Sequence, residues 1–310
     1  ALHNEIHARP PEAMDVPLGL SHVVMVCDAK QRAASWAHMA ELARDHHLPP
    51  PDAETTHVRL DLGPYRVRWE MHTEFVTWTF MRKLNADHFG EQEPEPALAA
   101  VPQRWLAELP GQCLANLHLW VLDTKAFGNG SLVKHVLYEE TLVASTVADG
   151  FAEVYTDFAV HADGFSRMVL LAGTMAPRRL GRLVQRLLEI ETYRMAALLG
   201  LPAAREASHV LASAEGELAE LAQAIRSATR EDEPMLLDRL TRLAGAVESQ
   251  HAATHSRFSA SAAYFELLDK RIAEISESRL PGMQTIGEFM DRRLTPARST
   301  CAWSAKRQDA

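Results

Sequence analysis

Across residues 235–280, Leu236, Leu240, Leu243, Val247, His251, Thr254, Phe258, Ala262, Phe265, Leu268, Ile272 and Ile275 follow one another at steps of three or four. That spacing predicts one face of a helix, uninterrupted by proline before Pro281 and roughly 65–70 Å long at 1.5 Å per residue. So long a stripe calls for a partner along its length. His251 and Thr254 are polar members near its middle, with His255 and Arg257 close by, where a dry coiled coil would carry leucine. The interruption favours a bundle or stalk over a plain coiled-coil dimer. Two more helical stretches, 177–199 and 203–229, come before it, broken at Gly200-Leu201-Pro202 and turning at 230–234. They are candidate partners within the chain. Thr285 and Glu288, three apart, predict a capping box that opens a last helix.

Before Pro177 the periodicity is that of strands. Residues 21–28 (SHVVMVCD) form an apolar, β-branched run, and 29–47 then show helical spacing until Pro49-Pro50-Pro51. Stretches 56–62 and 65–71 alternate about Gly63-Pro64, and 75–80 (FVTWTF) is a further strand. A loop over 85–97 and a short helix over 101–109 lead to 114–122 (LANLHLWVL), the clearest buried strand. Gly128-Asn129-Gly130 predicts a tight turn. Strands 141–147, 153–159 and 167–172, joined at Asp149-Gly150 and Asp163-Gly164, predict an antiparallel meander. The expected fold is α+β. A mixed or antiparallel sheet domain with helices occupies 1–176, and long antiparallel helices occupy 177–310.

Charge narrows the partners. The net charge of −9 argues against nucleic acid, which needs clustered Lys and Arg. Cys27, Cys113 and Cys301 lack metal spacing and read as free thiols of a reducing compartment. The opening residues do not form a signal peptide, and no window of about 18 apolar residues offers a membrane span. The chain opens on Ala1 and stops at Ala310 in a polar helical run without a stop signal, so a longer natural chain is expected.

Chemistry is sparse. His3, Glu5, His7 and Arg9 would share one side of an extended arm. Two imidazoles and a carboxylate suit a divalent metal, whereas Arg9 suits a carboxylate or phosphate; the plainer alternative is an ordered arm pinned by salt bridges. Glu189, Glu191 and Arg194 interrupt an apolar helix. They mark either a joint between domain and helices, if buried and paired, or a surface ion pair. His118 on its apolar strand reads as a satisfied core histidine. The pairs Asp157/Asp163 and Glu139/Glu140 read as solvated carboxylates. No nucleophile or phosphate-loop motif is present.

Residues 3–11 (HNEIHARPP), 188–202 (LEIETYRMAALLGLP) and 285–300 (TIGEFMDRRLTPARST) together resemble an uncharacterised bacterial family of predicted membrane-anchored proteins. The resemblance runs along essentially the whole chain. It implies further helix and then a hydrophobic C-terminal membrane segment beyond this sequence, with this region in the cytoplasm on the inner membrane, and it assigns no catalytic residues. The layout is also similar to that of CorA-type divalent-cation channels, by organisation alone. Three functions follow: a self-associating stalk in a homo-oligomer, a regulatory domain of a cation transporter, or a metal- or anion-dependent enzyme using the arm.

Overall fold

The structure, a computed structural model, describes residues 11–52, 54–85, 94–124 and 131–308. It divides into two compact units, Ala1–Thr192 with Lys270–Phe289 and Tyr193–Asp269 with Met290–Ala310. The division falls inside a helix, past the end of the last β-rich stretch at residue 176.

The first unit carries β1 (Leu18–Val26), α1 (Ala29–Asp45), β2 (His57–Asp61), β3 (Arg66–Met71), β4 (Phe75–Lys83), α2 (Gln103–Ala107), β5 (Gln112–Asp123), α3 (Ser131–Val136), β6 (Val143–Val147), β7 (Ala152–Thr156), β8 (Ser166–Ala172) and β9 (Ser278–Arg279). The strands form one sheet of order β2-β3-β4-β1-β5-β8-β7-β6-β9. Among the described strands β5 and β8 are the one parallel pair, from Leu117 opposite Ser166 to Asp123 opposite Ala172. The β6–β7–β8 meander forms as its turn residues predict, and it returns β8 to the edge of β5. The sheet is therefore mixed.

Alternation decides the two faces. Val23, Val67, Trp69, Val76, Trp78 and Phe80 pack beneath Met39 and Leu42 of α1 on one side. Asp28 opens α1 through a capping box with Gln31. The opposite side meets α4 (Pro177–Leu198), where Thr192 bonds His22 at 3.0 Å and Glu191 bonds Ser166 at 3.1 Å. Gly181 is required there, because a Cβ would stand 1.7 Å from the carbonyl oxygen of Glu12.

The second unit is helical. It holds the end of α4 with α5 (Gly200–Ser227), most of α6 (Glu233–Glu274) and most of α7 (Ile286–Gln308). α5 and α6 run antiparallel, with Gly200 beside Ser261 and Arg239 3.8 Å from both Glu217 and Glu220. α7 runs back along α6, pairing Arg298 with Asp269 at 2.8 Å and Gln308 with Thr254 at 2.8 Å. The expected long antiparallel helices are present.

Two boundaries differ from expectation. The break at Gly200-Leu201-Pro202 shrinks to Leu199, and Pro202 sits in the first turn of α5, where its missing N–H is no loss. The 42 residues of α6, about 63 Å, end at Glu274 rather than at Leu280. Ser276 turns to φ 49°, and Ser278–Arg279 leave the helix to pair with β6. Glu277 then accepts from Ser145 Oγ and from the N–H groups of Ile286 and Gly287, capping α7 beside the expected Thr285–Glu288 box.

Candidate interaction surface

The apolar ladder of α6 divides into two stripes a fraction of a turn apart. The inner one, Leu236, Thr254, Phe258, Ser261, Phe265 and Leu268, is buried. The outer one begins at Leu237 and Leu240, which are 65% and 40% exposed. It continues through exposed Ala244, half-buried Val247 and His251, and exposed His255 and Ala262. A 3.6-residue period places 237, 240, 244, 247, 251, 255 and 262 along one line.

Helix coverage explains the split. α7 reaches Thr254 through Gln308 and Glu215 through Arg307, so the hairpin beyond those residues is two helices thick among the described residues. Two helices bury only their facing edges: Leu221 and Leu236 are enclosed, while Leu218, Ile225, Met235, Leu237 and Leu240 stay exposed. Those five are over half of the nine large exposed hydrophobic side chains among the described residues, so the exposure is concentrated in one place.

At its other end the outer stripe enters a half-open groove of about 480 Å³ between α6 and α7. Phe258, Ala262 and Phe265 face Cys301, Ala302 and Ala305 across it, so the walls are apolar and the side chains of α7 are small. His251 and His255 meet edge to face at 5.2 Å at one end. At the other, Arg298 grips both carboxylate oxygens of Asp269 at 2.8 and 2.9 Å and lies 4.7 Å over the Phe265 ring. Of the polar break at His251 and Thr254, His251 borders this groove beside His255, while Thr254 is buried against Gln308.

The arm residues His3, Glu5, His7 and Arg9 lie outside the described residues. Among the described residues no group of three His, Cys, Asp or Glu side chains is arranged to hold a metal. Glu189 pairs with Arg271 and accepts from Gln185 at 3.0 Å. The Arg271 partner is far away in sequence and no local spacing announces it. Glu191 is buried against Ser166, and the two units divide between Thr192 and Tyr193, hence between Glu191 and Arg194.

Several buried polar groups escaped the sequence. Thr192 spends its hydroxyl proton on the Leu188 carbonyl, so it accepts from Nε2–H of His22, and Nδ1 then accepts from Thr79 at 2.8 Å. Burial, reinforced by the Arg68 charge, holds the His22 pKa down to about 3. His118, by contrast, is the satisfied core histidine its strand predicts: it is buried with Nδ1 2.9 Å from Ser21 Oγ and Nε2 3.8 Å from Asp163. The residue types match a catalytic triad, but Ser21 is fully enclosed and also accepts from the Leu98 N–H. It clips the 97–100 turn to the sheet. Asp157 is corrected from solvated to buried: it accepts from the N–H groups of Tyr138 and Ala159 and from His161 at 2.8 Å. The turn at Phe158, φ 51°, folds His161 back, which no periodicity announces.

Fold and surface together define an α+β protein that carries a long, partly uncovered helical hairpin. The chain belongs to the family described as "Protein of unknown function (DUF3422)", which matches residues 1–310. No curated protein and no solved structure matches it. Among the described residues no helix is long and apolar enough to cross a membrane.

Proposed function

We propose that this chain is the self-associating part of a membrane-anchored protein, and that the outer stripe of α6 binds a second copy. The uncovered row from Leu237 to His255, running into the groove at Ala262, is the observation that carries the reading. Its bulky end and its grooved end lie on one line, so a two-fold axis near residue 253 lays one copy's leucines in the other's groove. This antiparallel register sets Ala244 opposite the partner's Ala262, Val247 opposite the partner's Ser259 and His251 opposite the partner's His255. Glu266 and Asp269 then face Leu240 and Leu237, and no carboxylate meets a carboxylate. A parallel pairing would stack leucine on leucine and leave both grooves empty.

Anchoring is part of this proposal and rests on the sequence resemblance, under which this region would lie on the cytoplasmic face of an inner membrane. The hairpin would then hold neighbouring copies together above the bilayer.

Sedimentation velocity across a concentration series tests self-association. The parent chain is expected to form a dimer and Leu237→Glu/Leu240→Glu to stay monomeric. Both side chains are exposed in the single copy, so melting of the variant at low concentration should match the parent. A parent chain that stays monomeric throughout overturns the reading.

A further inference from the structure

β5 and β8 send their following helices to opposite faces of the sheet. After β5, α3 packs Leu132, Val133 and Val136 against Trp120, Leu122 and Leu171. After β8, α4 crosses the other face, where Thr192 meets His22 and Glu191 meets Ser166. Neighbouring parallel strands whose connections part in this way leave a crevice at their carboxyl ends, a recurrent place for ligands. A half-open cavity of about 550 Å³ stands there, between Thr124 at the end of β5, Leu171 on β8 and Val133 of α3. That volume lies within the range of about 300–1,000 Å³ usual for small-molecule sites.

The walls are mostly apolar, with a few polar groups converging on them. At the rim Lys134 is paired with Glu139 at 3.3 Å, so those charges cancel. Glu153 is the third charged group lining the cavity; its carboxylate accepts from the Tyr155 hydroxyl at 2.6 Å and has no cationic partner among the described residues. Among the described residues the lining thus carries one negative charge without a cationic partner, beside an aromatic ring and apolar walls. We propose that this cavity binds a small molecule with an apolar body and a single ammonium group, its charge on Glu153 and its body against Val133, Leu142 and Leu171. Tyr155 lines the same cavity beside that carboxylate. Burial and the neighbouring Glu153 push the Tyr155 hydroxyl well above its ordinary range, so it remains a donor that holds the carboxylate in place. Topology, cavity and charge point to one place, and none of them depends on the α6 surface.

Titration calorimetry with phenethylammonium, phenethyl alcohol and 3-phenylpropionate, matched in body and differing in charge, tests the assignment. The ammonium probe should bind at least about tenfold tighter than the alcohol, equivalent to about 1.4 kcal/mol, and the carboxylate should not bind. Glu153→Gln should remove the preference for the amine, and Leu142→Phe should weaken all binding by filling the cavity. Equal affinity for amine and alcohol, amine binding that survives Glu153→Gln unchanged, or no amine binding at millimolar concentration would each overturn it.

Discussion

Gly200 and Ser261 bring α5 and α6 together, and exchanging their atoms tests the packing of the helical unit. A Cβ at Gly200 would stand 2.5 Å from Ser261 Oγ, 3.0 Å from its Cβ and 3.2 Å from Cys301 Sγ. Overpacking of that kind costs about 1–3 kcal/mol, against about 0.5–1 kcal/mol gained by replacing a helical Gly with Ala. Gly200→Ala should therefore destabilise the unit by about 1–2 kcal/mol. Ser261 is fully buried and its hydroxyl oxygen has no hydrogen-bond partner. Ser261→Ala should accordingly stabilise the unit by about 1 kcal/mol. It also removes the shortest of the three contacts, so the double variant should recover about 1 kcal/mol beyond additivity. Urea unfolding followed by far-ultraviolet circular dichroism reports the helices. Trp36, Trp69, Trp78, Trp105 and Trp120 lie in the first unit and exposed Trp303 in the second, so fluorescence measured in parallel in a Trp303→Phe background should show the first unit unmoved. A Gly200→Ala variant as stable as its parent in both backgrounds would refute the close approach of these helices.

Three further outcomes are expected. His22 and His118, held down to about 3 and about 4 chiefly by burial, stay neutral when folded, whereas the unfolded chain takes up protons below about pH 6.5. Stability should thus be full above that pH and fall as it drops towards 4, by up to roughly 1.4 kcal/mol per pH unit for each histidine; His22→Asn should flatten the profile in urea titrations, and an unchanged slope would count against the buried neutral imidazole. Glu277→Gln weakens the cap on the first N–H groups of α7 and should lower stability by about 1 kcal/mol, read as a shift in the urea midpoint. Cys113 is exposed while Cys27 and Cys301 are buried, so one thiol should react quickly with an aromatic disulfide reagent and two only after unfolding; three fast thiols would contradict the packing.

Much of the fold was legible because period decides it. The β6–β8 meander, the hairpin around Gly63-Pro64 and the long α6 follow from alternation, turn residues and three-four spacing. Coverage was not legible. Whether Leu240 is core or surface depends on how far α7 reaches, and nothing near Leu240 carries that information. The same holds for Glu189, whose partner Arg271 lies on another helix, and for Asp157, buried by a turn at Phe158. The early end of α6 reflects the edge of β6, which attracts Ser278 and Arg279 more strongly than the helix retains them. His251 and Thr254 did stand out in the pattern, as polar residues on an apolar line.

The antiparallel register of α6 is tested most directly by cysteine pairing. In a Cys113→Ser/Cys301→Ala background, which removes the exposed thiol and the one lining the groove, Ala244→Cys and Ala262→Cys chains are mixed, oxidised and resolved by non-reducing electrophoresis. The account predicts a disulfide-linked dimer in the mixture and none from Ala244→Cys alone. A mixture that stays monomeric, or an Ala244→Cys chain that crosslinks to itself, would contradict it.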